Sequence, residues 1–401
     1  MKTLTLFEPQ FVEKFACVGS ACPEHCCGGW NIQLDKKSAN RYLQAKRIDI
    51  RALATEHISV TKKSVANWAQ IKLDASGQCG FLDEKKLCKI HAGLGASALS
   101  HTCSTYPRVS IQKRRDEFNT LTLSCPEAAR LLLTHPDGMQ VQEKQLLRQL
   151  FNNAPEYQDA EKLLNLMCSL LMAKCGVQVE QGLYAIALLC LKLDKVSLDN
   201  ADDVAQLENT FLALSDSLEK GEVVAHMHAI EPHYLLHYAL LNNMQHFIQL
   251  RPGSRGFATF SRYLQLLNLD ALQDQDDASK SQLMAENSLL WQQKVLPLLQ
   301  DSPWLIGNYF QYRIYHDRFP SLTSREPLSA LYLLTSEWLM IKNLLVAQVK
   351  STGELSQDDV VNIIYSFHSL TKHNKQASDN FYMHIDAFKM NDNISLLHLL
   401  K

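Results

Sequence analysis

The 401-residue sequence has no surplus of charge, no long uncharged apolar run and no constant repeat period. Each absence excludes something. A net charge of −2 gives no electrostatic reason to expect nucleic acid or an anionic membrane as partner. No uncharged apolar run reaches the roughly 18 residues that a transmembrane helix needs. The best candidate, 328–349, is interrupted by Glu337 and Lys342, so no membrane insertion is expected. The opening MKTLTLFEPQF carries one lysine and no apolar core, unlike an export signal. A cytoplasmic protein with reduced thiols is the expectation. Without a repeat period, no solenoid is predicted.

Cysteine is abundant, and unevenly placed. Eight of the 11 lie within the first 125 residues: Cys17, Cys22, Cys26, Cys27, Cys79, Cys88, Cys103 and Cys125. The stretch CVGSACPEHCCGGW (17–30) alone holds four. Cys168, Cys175 and Cys190 sit in helical patterns; Cys190 shares an apolar stripe with Leu183, Ile186 and Ala187. These three read as small core residues. For the eight, disulfides conflict with the expected compartment, which leaves metal. Paired CxxC knuckles are missing, and the spacing runs C-x4-C-x3-C-C, then singletons. Spacing leaves open structural zinc, with enough thiols for two ions, and an iron–sulfur cluster with irregularly gathered ligands.

The chain divides in two by pattern. Residues 1–130 look irregular, with a helix over 35–48 capped by Asp35, short β-hairpins in 67–91 and a helix over 93–103. This stretch is read as a small cysteine-rich metal-binding module whose stability metal ligation supplements. Residues 131–401 are read as a large α-helical domain, so the fold class is mainly α. Leu331, Leu334, Trp338, Ile341 and Leu345 mark one amphipathic helix. Others are predicted near 141–152, 158–174, 181–193, 203–219, 233–248, 303–316, 356–371 and 377–389, with a polar loop at 270–282.

CGFLDEKKLCKIH followed by TCSTYPR resembles the cysteine-cluster family of zinc- or iron-chelating proteins. The match to the flagellin lysine N-methylase family is closer. Its N-terminal pattern is similar to CVGSACPEHCCGGW, LCKIHAGLGASALSHTCSTYPR and LSCPEAARLLL. Its C-terminal half resembles IGNYFQYRIYHDRFP (306–320) and, more loosely, SFHSLTKHN (366–374). The resemblance spans nearly the whole chain. It implies methyl transfer from S-adenosylmethionine to lysine side chains of flagellin by an enzyme carrying a [4Fe–4S] cluster. The competing class is a non-enzymatic zinc- or iron-binding module or metallochaperone with a helical interaction surface.

The residues themselves set limits on that chemistry. No Gly-rich loop joins a strand to a helix, as Rossmann-type nucleotide binding requires. The CxxxCxxC spacing of radical enzymes is absent as well. A neutral lysine amine is a nucleophile, so direct displacement at the methyl carbon needs alignment and deprotonation. Arg108 is a candidate partner for the donor's carboxylate, and Asn308 and Tyr309 are candidate cofactor contacts in an aromatic-rich helix. The expected donor site is the junction of the two regions. His25 and His91 are read as hydrogen-bonding groups beside the metal, and Trp30 as a lid. His233 and His237 are read as a helix-surface pair. His373–Asn374 either ends a helix or reaches the site.

Overall fold

The computed structural model describes residues 2–148, 154–320, 326–373, 375–387 and 394–401. Two sheets and a helical mass organise them. The strands are β1 (Lys2–Pro9), β2 (Gln33–Leu34), β3 (Ile58–Val60), β4 (Ala69–Ile71), β5 (Arg108–Gln112), β6 (Asp116–Leu121) and β7 (Val141–Arg148). One sheet has the order β5-β6-β1-β7, the other β2-β4-β3. β1 runs parallel to β6, with Thr5 opposite Asp116, and antiparallel to β7, with Leu4 opposite Leu146.

The β7 strand overturns the helix expected at 141–152, of which residues 149–152 lie outside the described residues. Gln, Glu, Lys, Leu and Arg favour helix locally. Eight consecutive antiparallel pairs with β1 outweigh that preference. Tertiary pairing also decides where apolar packing divides. Ile32, Leu34, Tyr42, Ile50, Phe81 and Ile90 form a small core of their own. Phe11, Phe15, Phe118 and Leu123 pack instead into the large core that runs on to Leu400. The first strand and the 108–121 hairpin are thus the floor of the helical region.

Most predicted helices form: Asp159–Ala173, Val179–Leu193, Ala201–Glu219, Tyr234–Gln249, Trp304–His316, Gln357–Thr371 and Lys375–Asp386. Asp35 caps Lys36–Leu43 as expected, its carboxylate accepting from the Ser38 N–H at 2.9 Å. The 93–103 helix is instead three short turns, broken at Gly95 with φ 84°. The polar segment 270–282 is not all loop, because Asp276 caps a helix, Asp277–Leu290. Cys175 lies just beyond its helix, its thiol donating to the Leu171 carbonyl at 3.1 Å.

Pro327–Thr352 is the central helix, and it is buried on every face rather than amphipathic. Among the described residues it alone is long and apolar enough to span a membrane, and 94% of its most apolar stretch is inside the protein. Its two buried charges are paired there, while Lys350 in the last turn is exposed. Glu337 accepts from Arg313 and from Lys372. Lys342 reaches Glu180 at 3.1 Å, which also accepts from the Trp338 indole. His237 is not on the surface: it is 3% exposed and its Nε2 donates to the His398 carbonyl at 2.7 Å. His233 caps the same helix by accepting from the Leu236 N–H.

Two outcomes are expected. Glu337→Ala strands two buried cations, so the unfolding free energy should fall by about 3–5 kcal/mol in urea titrations. Burial holds His237, His316 and His373 down to about 4. The folded state therefore binds fewer protons than the unfolded chain between pH ~6.5 and 4. Stability is complete above that window and is lost as pH falls through it. His237→Gln should flatten this slope in urea midpoints taken at stepped pH.

Candidate metal centre and its junction with the helical domain

Four cysteines enter from one loop whose course two glycines permit. At Gly28 a Cβ would stand 2.7 Å from the Gly77 carbonyl. The close approach lets the Cys79 N–H donate to the Cys27 carbonyl at 2.8 Å, which brings two thiols from distant segments to one place. Gly29, at φ 74°, lies against the backbone of Arg255. Cys79 and Cys88 pair with Leu73 and Leu82 in isolated bridges. Cys88 precedes the helix Lys89–Leu94, and Cys125 precedes Pro126–Thr134. Cys103 sits in the first turn after Ser100, whose hydroxyl accepts from its N–H at 3.2 Å. Helix N-termini favour thiolates.

Pairwise electrostatic interactions link the eight thiols in a chain. Cys22 senses Cys17 and Cys26; Cys27 senses Cys26, Cys79 and Cys103; Cys79 senses Cys88 and Cys103; Cys125 senses Cys22. Among the described residues, no three cysteine, histidine or acidic donors already stand as a closed metal set. Burial pushes Cys79 up to about 12 and Cys125 to about 11, and raises Cys22, Cys27 and Cys103. Cys26 is the exception, lowered to about 6 by a hydrogen bond with the Cys27 thiol and by Arg255. Six of the eight are half-buried or buried, Cys17 and Cys103 being exposed; so many thiols with so little positive charge fit a bound metal, which would supply the charge their thiolates need. His25 is half-buried and His91 exposed.

The loop docks on the helical domain through Arg255, which is 4% exposed. Its Nη1 donates to the Tyr106 hydroxyl and its Nη2 to the Glu24 carbonyl. The Glu24 carboxylate accepts from the Gly256 N–H at 2.7 Å. Tyr106 also meets Ser124, whose hydroxyl lies 3.1 Å from His373 Nδ1. The Trp30 indole donates to the Cys26 carbonyl and turns its ring edge-on to His373, 4.7 Å between centroids. Three buried polar atoms at this junction have no partner among the described residues: Arg255 Nε, Glu24 Oε2 and His373 Nε2. Sequence reasoning singled out His373 but passed over Glu24 and Arg255. Glu24 sits inside the cysteine loop and was legible there; Arg255, in RPGSRG, carries no local signal.

Arg108, Asn308 and Tyr309 share no hydrogen-bond partner. Arg108 is exposed, its guanidinium 5.0 Å over the Phe15 ring. Asn308 donates to the carbonyls of Leu132 and His135, at 3.0 and 2.8 Å, and so holds the end of Pro126–Thr134. Tyr309 is fully buried between Arg313 and His368. Asn308 and Tyr309 are expected at the donor from the sequence; in this structure both polar groups are engaged within the core. Asn374 lies outside the described residues. Cys168, Cys175 and Cys190 are buried in the large core.

Comparison with known proteins covers both the cysteine-rich and the helical part of the chain. Residues 165–400 match the FliB lysine N-methylase C-terminal domain, and residues 16–126 a zinc- or iron-chelating domain. The chain is similar over its whole length to a lysine-N-methylase of Salmonella typhimurium, at 36% identity, and to another of Salmonella choleraesuis, at 37%, with each relative also covered completely. It is 43% identical over 164 residues to a Salmonella muenchen protein named flagellar biosynthetic protein FliU, covering 39% of this chain and 97% of that one. No solved structure matches. A metal-chelating thiol module on a helical methylase domain defines the class: a protein-lysine N-methyltransferase. The chain belongs to the FliB lysine N-methylase family.

Alanine at Cys168 or Cys190 should leave metal content unchanged, because each sits in the apolar core. Alanine at Cys26 or Cys79 should lower it. Metal analysis of the anaerobically purified variants checks both.

Proposed function

We propose that this chain transfers the methyl group of S-adenosylmethionine to lysine side chains of flagellin, in the cytoplasm. Up to four of its eight N-terminal cysteines would hold a [4Fe–4S] cluster. The observation that carries the reading is the convergence of Arg255 Nε, Glu24 Oε2 and His373 Nε2, unpartnered and buried beside the thiols. The donor's amino-acid end offers complementary groups: a carboxylate for the guanidinium and an ammonium for Glu24. His373, held neutral by burial, keeps an Nε2 lone pair that can accept a hydrogen bond from the incoming amine and orient it.

The chemistry balances without redox. The amine lone pair attacks the methyl carbon, the carbon–sulfur bond breaks, and its electrons return to sulfur, leaving S-adenosylhomocysteine. The lysine gives up its ammonium proton to water before the attack, and the product leaves as the methylammonium. Trp30 and Tyr106 wall the junction and limit water. When bound, the cluster supplies positive charge to its thiolates and fixes the loop that carries Glu24. Family resemblance and the flagellar name of one relative favour flagellin as acceptor.

The test is incubation with methyl-labelled S-adenosylmethionine and flagellin, with and without anaerobic cluster reconstitution. Label should enter lysine only after reconstitution. His373→Ala should cut the rate by on the order of a hundredfold while visible absorbance of the cluster persists. Release of a 5′-deoxyadenosyl product would refute the displacement.

A further inference from the structure

A second place in the fold is built like a ligand site, and the junction chemistry does not use it. Between the β1/β6 face and the helices Asp159–Ala173 and Trp304–His316 lies a cavity of about 390 Å³. Its walls include Phe7, Phe118, Tyr157 and Tyr315, with Arg318 among them. Phe7 and Phe118 are stacked 5.0 Å apart, and Tyr157 meets Phe118 edge-on at 5.4 Å.

Arg318 is the informative residue. It is 8% exposed, and its Nε and Nη2 have no hydrogen-bond partner among the described residues. Those two nitrogens form the edge of a guanidinium that grips a carboxylate in parallel. Elsewhere in this protein the same edge is filled. Arg47 uses it on Asp49, Arg130 on Glu127, and Arg313 on Asp317. At Arg318 no carboxylate fills it: the Tyr157 and Tyr315 hydroxyls lie close enough to interact with the guanidinium, but neither makes a well-formed hydrogen bond to Nε or Nη2, and the Tyr157 hydroxyl, lining the same cavity, has no other partner among the described residues. Glu143 also lines the cavity but does not fill that edge. Lys162, the other cation there, is already paired with Asp116 at 2.7 Å.

The fold holds Arg318 in this pose. Its backbone is left-handed at φ 55°, which costs a non-glycine residue about 1 kcal/mol or more. Asn165 steadies the turn by donating to the carbonyls of Ile314 and Phe319, at 2.9 and 2.7 Å. The guanidinium carbon sits 3.4 Å from the Phe118 ring centroid and 4.4 Å from that of Tyr315. Ring stacking fixes its plane and leaves the edge presented. The place is separate from the junction in its residues: none of those lining the cavity is among Glu24, Trp30, Tyr106, Ser124, Arg255 and His373.

We propose that this cavity is a second ligand site, which takes a small molecule carrying a carboxylate or phosphate on a flat apolar body. Arg318 grips the oxyanion, the Tyr157 hydroxyl donates to it, and the aromatic walls hold the body.

Calorimetric titration of the full chain with three probes tests this: 3-phenylpropionate, phenyl phosphate and the neutral 3-phenylpropan-1-ol. At least one anion should bind on the order of tenfold more tightly than the alcohol. Arg318→Gln should bring anion affinity down to that of the alcohol. Tyr157→Phe, which removes only a hydroxyl, should weaken the anion severalfold and decides the matter if Arg318→Gln fails to fold. Binding of neither anion, equal binding of alcohol and anions, or anion affinity unchanged in both variants would overturn the proposal. Displacement of the bound anion by S-adenosylhomocysteine at donor-site affinity would overturn its separateness.

Discussion

The contact between Gly29 and Arg255 is the constraint on which the functional half of the molecule depends. A Cβ on Gly29 would lie 2.8 Å from the Arg255 backbone nitrogen, so only glycine lets the cysteine loop sit this close to the helical domain. Gly256, at φ 83°, is pressed equally hard on its other side, where a Cβ would meet the Ser366 carbonyl at 2.8 Å. The 254–257 turn is thus clamped between the thiol loop and the helix Gln357–Thr371. One guanidinium then senses Cys22, Cys26 and Cys125 together while binding Tyr106 and Glu24. Loop position, junction electrostatics and the seat of His373 all follow from that clamp.

A metal on these thiols would therefore act beyond its own ligands. The small core of Ile32, Leu34, Tyr42 and Phe81 is modest beside the one it leans on. The loop from Cys17 to Trp30 has one turn of 3-10 helix and otherwise little regular structure. Burial raises most of the thiols, so in the metal-free chain these are protonated, and Cys26, lowered to about 6, is the thiolate that Arg255 meets. Ligation exchanges those protons for a cation and joins segments as distant as Cys17 and Cys125. Its binding energy is then available to fix the loop, since a ligand that binds only the ordered form stabilises that form.

The sequence made the chemistry more legible than the architecture. Eight thiols with irregular spacing point to a metal because little else needs them, and local capping by Asp35 can be read from three residues. The large helices were visible because apolar periodicity is local information. What escaped was non-local. The β7 strand looks helical until β1, more than a hundred residues earlier, is placed beside it. Pro327–Thr352 reads as amphipathic because Glu337 and Lys342 look like a solvent face; their partners Arg313, Lys372 and Glu180 lie 24, 35 and 162 residues away in sequence. Asn308 looked like a ligand contact because a buried amide among aromatics needs a partner, and nothing in its own helix reveals that the partners are the carbonyls of Leu132 and His135.

Satisfied groups give the unsatisfied ones their meaning. In the helical core Glu337 accepts from two cations, Glu180 from an indole and an ammonium, and His237 donates to a carbonyl, so this fold can complete demanding buried networks. Native proteins leave few buried polar groups without a partner, because each costs about 1–3 kcal/mol. Isolated exceptions such as Ser261 and the Trp304 indole need only one water each. The junction and the sheet cavity differ in kind. Each gathers more than one unpartnered atom, each includes an arginine almost wholly buried, and each arginine is held by stacking or by a clamped turn. A chain that fills the carboxylate-gripping edge of Arg313 with Asp317, four residues on, had the same device within reach at Arg318. Leaving that edge without a carboxylate while straining the backbone to present it is a cost that a ligand's oxyanion would offset.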